Sequence, residues 1–177
     1  KLALPHITPK KFESIMGKTF EDCVATLYPD LPESQRGSVG EECLKHEIQT
    51  IRKAGASFYS GVREGFPKLA ESYKLYIVSN CMTDYMELFL EISGFAPWVR
   101  DWECYGRTLN PKDYNIKSVV QRNALKKPVY IGDTPSDMRA AQGARVDYWH
   151  VNYGFGGKVN ASSFDDFDEL VDYFLHQ

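Results

Sequence analysis

At 177 residues, with 43% hydrophobic and 14% aromatic side chains, the chain can bury a core as one domain, or as one domain with a small insert. A net charge of −3, with no lysine or arginine run, argues against a nucleic-acid or other polyanionic partner. No apolar run approaches the length of a membrane span, and the opening KLALPHITPKK is too short and proline-broken for a signal peptide.

The first third reads as helical. Thr8-Pro9 offers an N-cap with proline at the first helical position, and Phe12, Ile15 and Met16 give an apolar stripe that Gly17 ends. Thr19-Phe20-Glu21-Asp22 resembles a capping box, with Asp in place of the usual Glu. From Pro32-Glu33, the residues Val39, Cys43, Leu44, Ile48 and Ile51 recur at helical spacing until Gly55. Residues 1 to 58 therefore look like a small helical unit without strands, ahead of a second unit over 59 to 177.

The texture changes after Tyr59. A turn at Ser60-Gly61-Val62 leads into a short helix carrying Phe66, Leu69 and Ala70. LYIVSN, residues 75 to 80, is a continuous apolar strand of the kind buried in a parallel sheet. A helix with Tyr85, Met86, Phe89, Leu90 and Ile92 inward follows, then a strand over 98 to 104 and a helix over 112 to 124. Val129 to Ile131 reads as a strand, 135 to 142 as a helix, and Val146 to Val151 as a strand. A last helix places Phe164, Phe167, Leu170, Val171 and Phe174 on one face. The alternation predicts an α/β fold with a doubly wound, Rossmann-like parallel sheet. Both LYIV and VYI are apolar throughout, so both strands should be interior ones with partners on each side.

Three places could carry chemistry. In VYIGDTPSD, Gly132 lets the chain turn sharply at a strand end, and Asp133 and Asp137 follow at G-D-x-x-x-D spacing. Two carboxylates on one tight loop suit Mg²⁺, a hard cation that takes oxygen ligands. The same spacing would equally serve an Asp-rich turn capping the next helix, with Ser136 or Asp137 as N-cap. Ser79-Asn80 ends the first strand, where a hydroxyl, an amide and the free N–H groups of the next helix could hold an anion, although Ser79 could merely cap that helix. Lys112 opens its helix against the macrodipole, which suits a task such as neutralising phosphate or else a solvated surface position. Lys10, Lys11, Lys117, Lys126 and Lys127 read as solvated.

Other chemistries find no footing. His6, His46, His150 and His176 lie in different elements without ligand spacing. Ser79 has no G-x-S-x-G context, and Gly154-Phe155-Gly156-Gly157 comes too late for a dinucleotide loop. Cys23, Cys43, Cys81 and Cys104 show no C-x-x-C spacing and read as reduced, mostly buried thiols of a cytoplasmic protein.

Ser79 after a buried strand, a lysine ahead of a helix, and the strand-GDTPSD loop occur in one order. Together they resemble motifs two, three and four of the haloacid dehalogenase (HAD) superfamily. The helical segment 1 to 58 looks like the α-helical cap of the phosphoglycolate-phosphatase-like and β-phosphoglucomutase-like branch. FYSGVRE, residues 58 to 64, resembles that branch's return from cap to core, and NYGFGG is similar to the end of many members. The resemblance covers nearly the whole chain. It implies a Mg²⁺-dependent phosphatase acting on a small phosphorylated metabolite. Asp133 would bind the metal directly, and Asp137 would act behind it or through water while holding Lys112. Ser79, the Asn80 backbone and Lys112 would bind the phosphoryl group.

One departure stands out. The family's first motif, a strand followed by D-x-D-G-T with the nucleophilic aspartate, has no counterpart here. The resemblance places it on a central strand between LYIV and VYI, which implies that about 20 residues of strand and turn stand outside this sequence, removed, disordered or supplied separately. The alternatives are a phosphomutase, which shares these motifs, and a non-catalytic binding or regulatory domain. A dehalogenase needs no metal, and the acid pair argues against it. Substrate identity and oligomeric state are not written in these motifs.

Overall fold

A computed structural model describes residues 5–176; residues 1 to 4 of the expected helical unit lie outside the described residues, as does Gln177. Three helices come first: α1 (Pro9–Glu13), α2 (Phe20–Leu27) and α3 (Glu33–Ala54). Thr8 caps α1 and Thr19 caps α2, each accepting a hydrogen bond from the backbone N–H three residues on. α1 stops short of Ile15 and Met16. The Ser14 hydroxyl donates to Lys11 O, and residues 15 and 16 close tighter turns onto Phe12 O and Glu13 O. α3 runs from Pro32 to Gly55 as its spacing predicts, but its apolar stripe is at most half-buried and Cys43 is exposed.

The remaining elements alternate: α4 (Val62–Ser72), β1 (Leu75–Ser79), α5 (Thr83–Ser93), β2 (Val99–Cys104), α6 (Tyr105–Thr108), α7 (Lys112–Arg122), β3 (Val129–Gly132), α8 (Pro135–Ala144), β4 (Asp147–Val151), β5 (Ser163–Phe164) and α9 (Phe167–Leu175). Every strand pairing is parallel, β1 with β2, β3 with β4, and β4 with β5. Ile116, Ala140 and Val146 pack one face with α7 and α8. Leu69, Val151, Phe164, Leu170 and Val171 pack the other with α4 and α9. Burying side chains of this size contributes about 1.5–3 kcal/mol each.

Three expectations shift. Phe164 belongs to β5 rather than to the last helix, because Asp166 accepts from Glu169 N and starts α9 at Phe167. Of the four cysteines only Cys104 is buried; Cys23 and Cys81 are half-buried, and all four are free thiols. The strand interiors differ most. β1 and β3, expected to have partners on both sides, have one each, and the strands form a two-stranded and a three-stranded sheet.

The facing edges of β1 and β3 border a cavity of about 980 Å³, lined by Leu75 to Ser79 on one side and Val129 to Ile131 on the other. The lining is mostly apolar, with Met86, Ile116 and Leu170 from the flanking helices. Among the described residues no strand fills it. The Tyr130 hydroxyl spans the gap and donates to Val78 O at 3.0 Å.

Candidate functional site

The strand ends meet at the carboxyl edge of the two sheets. After β3 the chain turns through Asp133 and Thr134 into α8. Thr134, not Ser136 or Asp137, is the N-cap; it accepts from Asp137 N at 3.1 Å, with Pro135 at the first helical position. Asp137 closes the capping box by accepting from the Thr134 N–H at 3.0 Å. Gly132 is needed for a reason other than a sharp turn. Its φ lies outside the left-handed region, but a Cβ there would sit 2.6 Å from Asp137 Cβ.

Asp137 is fully engaged. One oxygen accepts from Asp133 N, Thr134 N and Thr134 Oγ1, and the other from Lys112 Nζ at 2.5 Å. Its side chain is 5% exposed and that of Lys112 is 11%. Burial opposes ionisation of Asp137, but the Lys112 charge and these hydrogen bonds outweigh it and hold the carboxyl below the usual range. Lys112 comes from the start of α7, so a locally unfavourable place on its own helix is offset by a partner on another.

Asp133 is held differently. Phe155 N donates to its Oδ2 at 2.7 Å, and Oδ1 has no hydrogen bond among the described residues. This donor set fits a divalent cation held by one direct carboxylate, since Mg²⁺ usually keeps several waters and takes one or two carboxylates. Among the described residues no group of three acidic, histidine or cysteine side chains gathers to form a complete protein cage.

At the end of β1, Ser79 Oγ accepts from Cys81 N at 3.1 Å and lines the large cavity. Asn80 Nδ2 donates to Gly17 O at 2.8 Å, while Asn80 Oδ1 is buried without a partner. α5 begins at Thr83, after Met82, with no side-chain cap, and the Gly106 backbone packs closely on Met82 and Thr83 N. Gly17 also lies against Thr134 and Ser136, so the segment between α1 and α2 touches both strand ends. Gly17 thus stands between Asn80 at the end of β1 and the Thr134–Ser136 turn at the start of α8. Burial pushes the nearby Cys81 thiol up to about 11, against the weaker pull of Ser79 and Lys112, so it is no ready nucleophile.

Some contacts behind the loop have no simple sequence signal. Tyr148 Oη lies 2.9 Å from Gly132 O and 2.9 Å from His150 Nδ1, and His150 Nε2 lies 2.8 Å from Gly157 O. Only the i, i+2 placement of Tyr148 and His150 on one strand face could have hinted at it.

Comparison with known proteins bears on this geometry. The profile of the haloacid dehalogenase-like hydrolase family matches residues 1–151. A phosphoglycolate phosphatase from Psychrobacter arcticus is 28% identical over 163 residues, covering 81% of this chain and 70% of the relative. A haloacid dehalogenase-like hydrolase from Streptococcus pneumoniae superposes with a TM-score of 0.77 at 19% identity, covering 96% of this chain and 83% of the other. A HAD-superfamily hydrolase from Geobacter sulfurreducens gives 0.66 at 14% identity, covering 98% and 81%. At such identities the two structures speak for the fold, which is HAD-like, as the ordered motifs led one to expect. With the family profile spanning most of its length, the chain belongs to the haloacid dehalogenase-like hydrolases.

Proposed function

We propose that the chain is the larger part of a Mg²⁺-dependent phosphatase acting on a small phosphorylated metabolite in the cytoplasm. The observation that carries this reading is the Lys112–Asp137 pair backing the GDTPSD loop, with Asp133 Oδ1 left free beside it. Asp133 would hold the cation directly. Asp137, with both oxygens taken, would act behind it and keep Lys112 in place. Lys112 would neutralise the phosphoryl charge, and Ser79 Oγ and the Asn80 N–H would hydrogen-bond its oxygens. When bound, Mg²⁺ would supply charge neutralisation at the phosphoryl oxygens. α1 to α3 would act as a cap over the strand ends.

The nucleophile in this reading is an aspartate on a strand outside the 177 residues. It would attack phosphorus as the ester P–O bond breaks and the alcohol leaves, and water would then hydrolyse the aspartyl-phosphate to inorganic phosphate and the free carboxylate. The apolar cavity between β1 and β3 supports this, because it has two unpaired strand edges and leads toward the candidate site. The four free thiols support a reducing compartment.

The test compares the 177-residue chain with a protein extended by the upstream reading frame, against a panel of phosphomonoesters with and without Mg²⁺. Release of inorganic phosphate by the extended protein alone, dependent on Mg²⁺ and lost in Asp133→Asn, is expected. Transfer of phosphate within the substrate would mean a phosphomutase. No turnover, with no aspartate-bearing strand upstream, would mean a binding or regulatory domain.

A further inference from the structure

His150 is fully buried, and both of its ring nitrogens have partners. A backbone carbonyl can only accept, so Nε2 carries the hydrogen that goes to Gly157 O. Nδ1 faces the Tyr148 hydroxyl, which also reaches the Gly132 carbonyl. The pair thus links the loop after β3 to the turn that follows β4.

That turn is shaped against Asp133. A Cβ on Gly154 would overlap the Asp133 side chain, and one on Gly156 would overlap the Asp133 carbonyl and the Thr134 Cα. Phe155 offers its N–H to Asp133 Oδ2 while its ring stays 58% exposed, so the backbone makes the contact. The turn has no helix or strand of its own from Tyr153 to Gly157. Its near end is steadied by the Tyr59–Tyr153 ring contact, and its far end by the His150–Gly157 bond.

We propose that His150 is a positioning residue for Asp133, keeping the 154–157 turn pressed on the carboxylate so that Phe155 N–H fixes Oδ2 and Oδ1 is presented to a divalent cation. The proposal rests on reading Asp133 as the cation ligand. His150 itself touches neither cation nor substrate. Its effect passes through Gly157 and Phe155, and the glycines are what allow so close an approach.

The test uses the 177-residue chain with His150→Phe, which keeps a ring and loses both hydrogen bonds, and His150→Gln, which can donate to one side and accept from the other. Amide exchange is followed by NMR and Mn²⁺ binding by titration. In His150→Phe, exchange at the Phe155 amide should rise about tenfold relative to the β4 amides, the size of one lost charge-assisted bond. Mn²⁺ affinity should fall about 10–100-fold, as when the partner behind a metal ligand is removed. His150→Gln should recover most of both. A folded His150→Phe with unchanged Phe155 exchange overturns the proposal, even if it melts earlier. If His150→Phe does not fold, Tyr148→Phe takes its place and should raise Phe155 exchange in the same direction; no rise overturns it equally. Asp133→Asn separates the two readings. If it leaves Mn²⁺ binding unchanged, or if the parent chain takes up no Mn²⁺, the cation assignment fails and Phe155 exchange alone decides the role of His150.

Discussion

The two strand ends at the candidate site share one plan, strand to turn to helix, and are finished in opposite ways. At the end of β3 the polar groups satisfy one another. Asp137 closes the capping box of α8, pairs with Lys112 and accepts from the Asp133 and Thr134 N–H groups. At the end of β1 the pairing is less complete. Asn80 Oδ1 is unpartnered and α5 has no side-chain cap. A cation site needs fixed, preorganised oxygens, whereas an anion site at a helix start needs unspent N–H groups. In the proposed reading the end of β3 would hold the cation and the end of β1 the phosphoryl group.

The contrast can be broken most severely at Asp137. Asp137→Ala strands the Lys112 charge at low exposure and removes the capping box, and should cost about 3–5 kcal/mol in urea unfolding. A cost no larger than an exposed ion pair would mean that the closed end is not closed. Gly154→Ala comes next. Its Cβ must displace Asp133, so we expect about 1–3 kcal/mol of lost stability and weaker Mn²⁺ binding; tolerance without loss of binding would detach the turn from the site. The acid limb is smaller. Because the folded carboxyl of Asp137 titrates below its ordinary value of 3.8, its contribution is complete above that pH and is lost as pH falls through the lower folded value. Thermal melts of the parent chain should therefore fall more steeply there than those of Asp137→Asn. Least of all in stability, Ser79→Ala should cost under about 1 kcal/mol, since one weak acceptor for Cys81 N is lost. Its effect should instead appear as weaker binding of inorganic phosphate. A large stability loss would make the open end structural after all.

Much of this architecture could be read from the chain because its signals are local. Thr8-Pro9, the Thr19 cap and Gly55 mark helix ends, and LYIV and VYI are strands as their apolar runs suggest, but β1 is only half-buried and Val129 and Ile131 stay exposed where interior strands were expected. Where two local signals competed, the reading failed. Phe164 continues the helical spacing of α9, but Asp166 with Glu169 three residues on was the stronger mark, and Phe164 went to β5. At the site, Asp133, Asp137, Ser79 and Lys112 carried recognisable spacing, whereas Tyr148 and His150 did not. The Gly132 carbonyl reaches Tyr148 through the β3–β4 register, and the Gly157 carbonyl reaches His150 through the turn after β4, neither of which carries a residue-type signature. The Phe155 N–H on Asp133 is hidden for the same reason: a backbone donor has no sequence signature of its own.

The cavity between β1 and β3 also bears on how the molecule comes apart. Among the described residues the two half-sheets share no ladder hydrogen bond across it, and the Tyr130 hydroxyl, the flank of α7 and the packing of α4 on α9 join them. Cooperative melting depends on every region losing much when any one region is lost, and here that mutual dependence is thin along one seam. The β1–β2 half, with α5, should open at a lower free energy than the β3–β4–β5 half, with α8 and α9. Calorimetry would then give a van't Hoff enthalpy below the measured one, and a strand laid in the seam would merge two softened transitions into one.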